Sequence, residues 1–304
     1  MLRTILFLIG TLIALPVIAW HYDSQLNTEQ WTVLMALAQG ALAAALLCFA
    51  VSTLSKNYSQ VDKLWSLLPI GYTWYVAWSA GMSPRLVLMA VLATLWGLRL
   101  TYNFARRGGY HLLFWKGDED YRWGVLRQQG KFKNPWIWAL FNLFFISLYQ
   151  NTLILLFTLP TLVAWQGSDQ ALGWTDGFLT LAFLILLYLE TRADQQQYEF
   201  QEEKYRRIRE GLPLGTYEKG FCDTGLWGKV RHPNYAAEQA IWLVFYLFSV
   251  AATGRWVNWS MTGVILLMLL FIGSSDFSEK ISAEKYPAYK GYQQDRPRFW
   301  PRFF

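Results

Sequence analysis

The residues best suited to chemistry lie in the stretch GLWGKVRHPNYAAEQAIW, which runs from Gly225 to Trp242. Lys229, Arg231 and His232 concentrate positive charge directly before an apolar segment. A guanidinium group can hold a phosphate or carboxylate through two parallel hydrogen bonds. The stretch therefore predicts a binding site for an anionic ligand.

The second half of this stretch predicts a helix that begins at Pro233, a residue favoured in the first helical turn. Asn234 offers both a donor and an acceptor, and Glu238 follows four residues later on the same helix face. The N–H groups of a helix N-terminus also attract anions. A basic membrane flank with a helix cap explains the cations, but it does not explain Asn234, Tyr235 and an ionisable Glu238 in an apolar span.

Other candidate residues stand where apolar segments meet polar loops. Asp62 begins one span, and Asp194 follows another within a highly charged segment. Tyr102 lies three residues after Arg99 on one helix face, and Asp62 is a candidate partner for that arginine. Arg106 and Arg107 precede two glycines in a basic turn that suits phosphates or lipid headgroups. For Asp62 the alternative is a helix cap, and for Asp194 it is a solvated helical extension.

The composition predicts a membrane protein. Of the 304 residues, 54% are hydrophobic and 16% are charged, whereas a soluble domain has about 25% charged residues. Eight apolar blocks approach the roughly 20 residues that a membrane span needs. These blocks are 3–21, 32–54, 65–80, 84–104, 136–165, 172–190, 237–253 and 257–275. We expect an all-α, polytopic integral membrane helical bundle of about seven to eight transmembrane helices, with the fifth tilted or broken near Asn151 or Pro160.

The ends of the chain give two further expectations. The first block is predicted to be a retained helix, since no small-x-small cleavage site precedes HYDSQ. Residues 1–30 then form an extra N-terminal transmembrane helix with a short outside loop, and residues 31–304 form a single membrane domain. The segment from Ser278 onward is expected to fold back over another part of the chain or to lie on the membrane surface.

Basic residues cluster in the segments 55–64, 105–135, 191–236 and 276–304. Short loops rich in Lys and Arg stay in the cytoplasm, so both termini and all these segments are expected there. The net charge of +6 therefore reflects membrane orientation and does not predict nucleic-acid binding. Two distant cysteines and three scattered histidines predict neither a disulfide framework nor a metal site.

Together these motifs resemble the steroid 5-alpha-reductase superfamily, in particular its bacterial branch of uncharacterised membrane proteins, domain of unknown function 1295. The resemblance spans roughly residues 50 to 304. The residues that carry it are NYSQVDKLWS (57–66), WGLRLTYNF (96–104), EDYRW (119–123), RADQQ (192–196), GLWGKVRHPNYAAE (225–238) and EKYPAYKGYQQDRPRFWP (284–301).

The resemblance implies a protein of a bacterial inner membrane that holds NADPH in a cytoplasm-facing cavity. It assigns the cofactor contacts to Asp194, Asn234 and Glu238. Further cofactor contacts are implied around the same motifs and the basic turn, namely Arg106, Arg107, Trp227, Arg231, His232 and Tyr235.

The implied reaction is hydride transfer from NADPH to the beta carbon of a conjugated C=C bond in an apolar enone or steroid-like lipid. Asp62 and Tyr102 are the best matches for the acid and tyrosine that polarise the substrate carbonyl. The sequence departs from the family at Ala237, where glycine is usual. It also lacks a clear counterpart, in FIGSSDF (271–277), of the polar cluster in the last span of the steroid enzymes.

Two other functions remain open at this point. Isoprenylcysteine carboxyl methyltransferases carry a similar RHPxY motif and a downstream glutamate, and they bind S-adenosylmethionine. The RADQQ, VDKLW and LRLTYNF elements and the many basic residues favour a reductase, because NADPH carries several negative charges. A non-catalytic lipid-binding membrane protein is the third possibility.

Overall fold

The computed structural model describes residues 2–21, 23 and 26–301, and the regular elements in these ranges are all helical. The α-helices are α1 (Leu2–His21), α2 (Thr28–Ser55), α3 (Gln60–Ser79), α4 (Pro84–Ala105), α5 (Tyr121–Arg127), α6 (Pro135–Phe141), α7 (Gln150–Thr158), α8 (Pro160–Trp165), α9 (Trp174–Glu210), α10 (Pro233–Thr253), α11 (Met261–Lys285) and α12 (Tyr289–Asp295). A π-helix occupies Asn142–Tyr149, and short 3-10 helices occupy Gly130–Lys133 and Gly215–Tyr217.

Within the described ranges, six helical segments are long and apolar enough to cross a membrane. They are Thr28–Ser55, Pro84–Ala105, Pro135–Trp165, Trp174–Glu210, Pro233–Thr253 and Met261–Lys285. The all-α membrane fold is thus confirmed. The first and third predicted spans fall on α1 and α3, which are helices but are not among these six. The total of seven to eight spans stays a prediction.

The chain divides into two compact units. Unit 1 comprises Met1–Thr180 and Leu243–Leu267, and unit 2 comprises Leu181–Trp242 and Met268–Phe304. The predicted single domain from 31 to 304 stays a prediction.

In unit 1, α3 packs extensively on α4, and α2 and α7 also pack on α3. Gly97 permits the close approach of α4 to α3, because a Cβ atom there would lie 2.5 Å from the carbonyl oxygen of Ser66. Trp96 is fully buried and packs against Phe157 with ring centroids 6.4 Å apart. Helix α2 begins at Thr28 because Asn27 and Gln30 form a capping box.

The fifth span is interrupted, as the sequence predicts. Helix α7 ends at Thr158 and α8 begins at Pro160, since proline has no N–H for the helical ladder. The alternative break at Asn151 is not seen, because that residue lies inside α7 and donates its side-chain amide to the Ser147 carbonyl at 2.8 Å. The π-helix before α7 buries Asn142 against Ser52, with a 2.9 Å hydrogen bond.

Unit 2 contains most of α9, whose span continues without interruption into the charged segment that follows. It also contains the loop after α9, the start of α10, the end of α11, and α12 with the residues beyond it. Phe221, Tyr289 and Tyr292 form a buried aromatic cluster between the loop and α12. The expectation of a C-terminal segment that folds back over another part of the chain is confirmed within this unit.

Candidate functional site

The RHPNY motif of unit 2 is fixed by the C-terminal segment. The backbone N–H groups of Arg231 and His232 donate to the carbonyl groups of Pro297 and Arg298, at 2.9 and 3.0 Å. The Tyr292 hydroxyl also donates to the carbonyl oxygen of Trp227. The C-terminal segment therefore holds the backbone of the motif in one conformation.

Glu279 of α11 holds the side chains of the same motif. Its carboxylate accepts hydrogen bonds from Arg231 Nε at 2.8 Å, Arg231 Nη2 at 3.2 Å and His232 Nε2 at 2.8 Å. The remaining guanidinium nitrogen of Arg231 donates to the carbonyl oxygens of Gln293 and Arg296. All three ionisable side chains are buried.

This network changes the interpretation of Arg231 and His232. The sequence predicted that Arg231 would hold a phosphate through its two-pronged guanidinium group. In the structure that group already holds the Glu279 carboxylate, and every guanidinium nitrogen has a partner within the chain. The geometry favours a positioning role for both residues rather than direct ligand contact. Glu279 itself was missed, since no local pattern distinguishes it from the other acidic residues of its segment.

Two motifs that are far apart in the sequence meet beside this network. Asn234, in the first turn of α10, donates its amide to Asp194 Oδ1 of α9 at 3.1 Å. The Trp227 indole N–H donates to the Ala193 carbonyl at 2.9 Å. The structure thus brings together three predicted cofactor residues, Asp194, Trp227 and Asn234.

The turn before the RHPNY motif packs closely against α9. The Leu226 N–H donates to Gln196 Oε1 at 3.0 Å. Gly225 has a φ of +61°, and a Cβ atom there would lie 2.5 Å from the Gln196 side chain. Glycine is required at this turn both for its left-handed backbone and for the close approach.

Glu238 lies one helical turn beyond Asn234 and is buried. Its Oε1 accepts a hydrogen bond from the Trp242 indole at 3.3 Å. Helix α10 begins at Pro233 as predicted, and Ala237 is buried beside Glu238. Tyr235 stacks on His232 with ring centroids 5.3 Å apart. The start of α10 therefore carries a row of polar side chains held in place by their neighbours.

In unit 1, the EDYRW motif lies across the start of α3. The Tyr58 N–H donates to Glu119 Oε1, and the Asp120 N–H donates to Ser59 Oγ, each at 2.8 Å. The Trp123 indole N–H lies 3.5 Å from Asp62 Oδ2. The sequence assigns no role to this motif, and the structure shows that it lies against Asp62.

Asp62 and Asp120 interact, and their pKa values move apart. Burial, followed by the negative charge of Asp120, raises the pKa of Asp62 to about 6. Burial alone would also raise the pKa of Asp120, but the charge and hydrogen bonds of Arg122 hold it below its usual value. Asp120 is thus ionised at neutral pH, and Asp62 is the carboxyl group that can retain a proton.

We expect Asp62→Asn to change the pH dependence of stability. Because the pKa of Asp62 is raised, its protonated carboxyl group stabilises the folded state. This stabilisation is fully present below the ordinary pKa of 3.8 and is lost as the pH rises through about 6. As the pH rises from about 5 to about 8, the wild type should lose this stability while the asparagine variant, which does not titrate, should not. Thermal unfolding at both pH values checks this, with Asp169→Asn at an exposed loop position of the same unit as the control. An equal difference at both pH values would contradict the assignment.

Tyr102 and Arg107 of the basic turn are exposed, whereas Asp62 lies against the EDYRW motif. Tyr102 is 67% exposed on α4, with the Arg106 guanidinium 5.7 Å from its ring centroid. Arg106 also donates to Asn103 Oδ1 at 2.6 Å, and Arg107 is exposed. Among the described residues, no hydrogen bond joins Asp62 to Tyr102. The roles of Asp62 and Tyr102 toward a substrate carbonyl stay predictions.

The described residues contain no group of three or more His, Cys, Asp or Glu side chains that could hold a metal ion.

The chain is similar to known proteins over most of its length. Residues 48–296 match the family described as "Protein of unknown function (DUF1295)", and the chain belongs to this family. The uncharacterised protein C594.04c of Schizosaccharomyces pombe is 40% identical over 266 residues, which are 84% of this chain and 75% of the relative. No solved structure matches. Because this relative is fungal, the narrower assignment to a bacterial branch of the steroid reductase superfamily stays a prediction.

Proposed function

We propose that this protein is a membrane-embedded, NADPH-dependent reductase of a conjugated C=C bond in an apolar enone lipid. The observation that carries the proposal is the hydrogen bond between Asn234 and Asp194. It joins the two motifs, RADQQ and RHPNYAAE, to which the resemblance assigns the cofactor. The steroid-like class of substrate rests on that resemblance and on the membrane location of the chain.

The residues of unit 2 fit a nucleotide by their chemistry. Asp194 can accept hydrogen bonds from ribose hydroxyls or an amide, and Asn234 can both donate and accept. Cationic side chains are also present. Arg192 directly precedes Ala193 in α9, and Lys229 lies two residues after Trp227, whose indole N–H donates to the Ala193 carbonyl. Both side chains are exposed and form no ion pair among the described residues, so they suit the phosphates that Arg231 does not reach.

Reduction of the double bond needs a hydride and a proton, and the two come from different groups. NADPH, when bound, supplies the hydride and leaves as NADP+. The protein must supply a proton and stabilise the negative charge that develops on the carbonyl oxygen. Asp62 is suited to this role because its raised pKa lets it hold a proton near neutral pH. Tyr102, whose side chain is exposed on α4, is the alternative donor of this one proton.

Thermal unfolding of the purified protein in detergent tests the proposed cofactor. NADPH, NADH and S-adenosylmethionine are added separately. A ligand at about 100 times its dissociation constant stabilises the folded state by about 2.7 kcal/mol. We expect a shift with NADPH that S-adenosylmethionine does not produce. A shift with S-adenosylmethionine alone would replace the reductase by a methyltransferase, and no shift at saturating concentrations would support a non-catalytic protein.

A further inference from the structure

The segment between α4 and α5 forms a closed loop with an unusual surface. We name residues 110–117 the apolar loop. Its neck is closed by the 2.8 Å hydrogen bond from the Asp118 N–H to the Gly108 carbonyl. Gly117, with a φ of +114°, lies so close to the Gly109 carbonyl oxygen that a Cβ atom there would approach it to 2.3 Å. The loop is therefore a defined structure with fixed ends.

The backbone of the apolar loop is attached to the start of α3. Lys63 is buried, and its ammonium group donates to the carbonyl oxygens of Phe114 and Lys116, at 2.7 and 2.6 Å. The side-chain amide of Gln60 donates to the Trp115 carbonyl at 3.1 Å. Three successive carbonyl groups thus point toward α3. Burial of a lysine ammonium group costs free energy unless the group is hydrogen-bonded. Here the partners are carbonyl oxygens of the loop and not a carboxylate, so Lys63 fixes the loop on α3.

The four apolar side chains at positions 112–115 of the loop are exposed, whereas Tyr110 lies against α3. Leu112 is fully exposed and Phe114 is 63% exposed, while Leu113 and Trp115 are about two-fifths exposed. Four adjacent large apolar side chains on a fixed loop are unusual for a surface in contact with water. Arg107 and Lys116 are exposed at the two ends of this patch, and the exposed carboxylate of Asp118 lies beside Gly108 at the neck.

The loop folds back toward the membrane-spanning part of unit 1. Helix α4 is a candidate span that ends at Ala105. The Tyr110 hydroxyl nevertheless lies 3.0 Å from Ser66 Oγ, which also accepts a 2.8 Å hydrogen bond from Thr101 Oγ1. Tyr110 therefore lies one turn back along α4, level with the second turn of α3. The ends of membrane spans are where tryptophan, tyrosine and basic side chains commonly meet lipid headgroups.

We propose that the apolar loop is an interfacial anchor that inserts Leu112, Phe114 and Trp115 into the leaflet on the side where α4 ends. Arg107 and Lys116 bind the phosphate groups of anionic phospholipids at the rim of the inserted patch. Apolar insertion and basic attraction act together at membrane surfaces. The inference does not depend on the proposed reductase activity.

Spin labelling of the full chain in nanodiscs of phosphatidylcholine and phosphatidylglycerol tests the anchor. A label is placed at Leu112→Cys, and its collisions with oxygen and with a water-soluble nickel reagent are measured. The two native cysteines are buried, and the unsubstituted protein reports their background labelling. Leu47→Cys on the exposed face of α2 is the lipid control, and Lys131→Cys at an exposed site before α6 is the aqueous control.

We expect the label at position 112 to show the high oxygen and low nickel accessibility of the Leu47 control. Nickel accessibility like that of the Lys131 control would overturn the proposal. Protection from both reagents would mean that another protein surface, such as a second copy of the chain, covers the loop, and would also overturn it. Replacing phosphatidylglycerol by phosphatidylcholine, or introducing Arg107→Gln with Lys116→Gln, should increase nickel accessibility, and no change would refute the anionic-lipid contact. Trp115→Cys serves if the first variant does not fold.

Discussion

Replacing Glu279 by alanine should destabilise the folded protein by about 3–5 kcal/mol, the loss typical of breaking a buried charge pair by removing one partner. The Glu279 carboxylate is the acceptor for two nitrogens of Arg231 and for His232 Nε2, and all three side chains are buried. Without it, Arg231 keeps its positive charge in an enclosed site with only backbone carbonyls as partners. The segment that carries the RHPNY motif should then lose its fixed conformation.

Thermal and denaturant unfolding in detergent measure this loss, and the same helix provides a matched control. Asp276 lies three residues before Glu279 and pairs with Arg298, but its side chain is 57% exposed. Asp276→Ala should therefore cost less than about 1 kcal/mol, as exposed ion pairs do. Equal small losses in the two variants would show that the Glu279 network does not stabilise the fold.

Alanine at Asp194 or at Asn234 should each weaken NADPH binding by about 10- to 100-fold. This range corresponds to the roughly 1.5–3 kcal/mol of a hydrogen bond that involves a charged group. The two side chains also bond each other at 3.1 Å. Each single variant thus removes the partner that orients the other residue, and the double variant should lose less than the sum of the two single losses.

Fluorescence titration of NADPH into each purified variant measures these affinities. Glu202→Ala, at an exposed position two turns further along α9, is the control and should bind as the wild type does. The unfolding temperature of each variant, measured without NADPH, separates a binding defect from loss of the fold. Wild-type affinity in both single variants would remove Asp194 and Asn234 from the cofactor site.

Local patterns predict much of the fold and part of the site. Long apolar blocks place the six candidate spans, since a membrane requires a fixed length of apolar helix. Proline chemistry places the start of α10 at Pro233 and the interruption of the fifth span at Pro160. Asn234 and Glu238 share a helix face by their spacing alone. Each of these features depends on residues within one or two helical turns.

The partners of the site residues could not be predicted in the same way. Glu279 lies 47 residues from His232, and Trp123 lies 61 residues from Asp62. Such pairings depend on tertiary packing, which a single sequence does not encode as a local pattern. The same reason explains why the sequence did not predict the partner of Arg231. Its type suggests a phosphate ligand, whereas its use in the structure is set by a carboxylate on a distant helix.

Photoaffinity labelling with an arylazido analogue of NADPH tests the central claim most directly, because it reports where the nucleotide binds. The labelled protein is digested, and the modified peptides are identified by mass spectrometry. We predict adducts within residues 190–206 or 225–238 that excess NADPH suppresses and excess S-adenosylmethionine does not. Adducts that NADPH suppresses only outside these two segments, or a pattern that NADPH does not change at all, would contradict the proposed cofactor site.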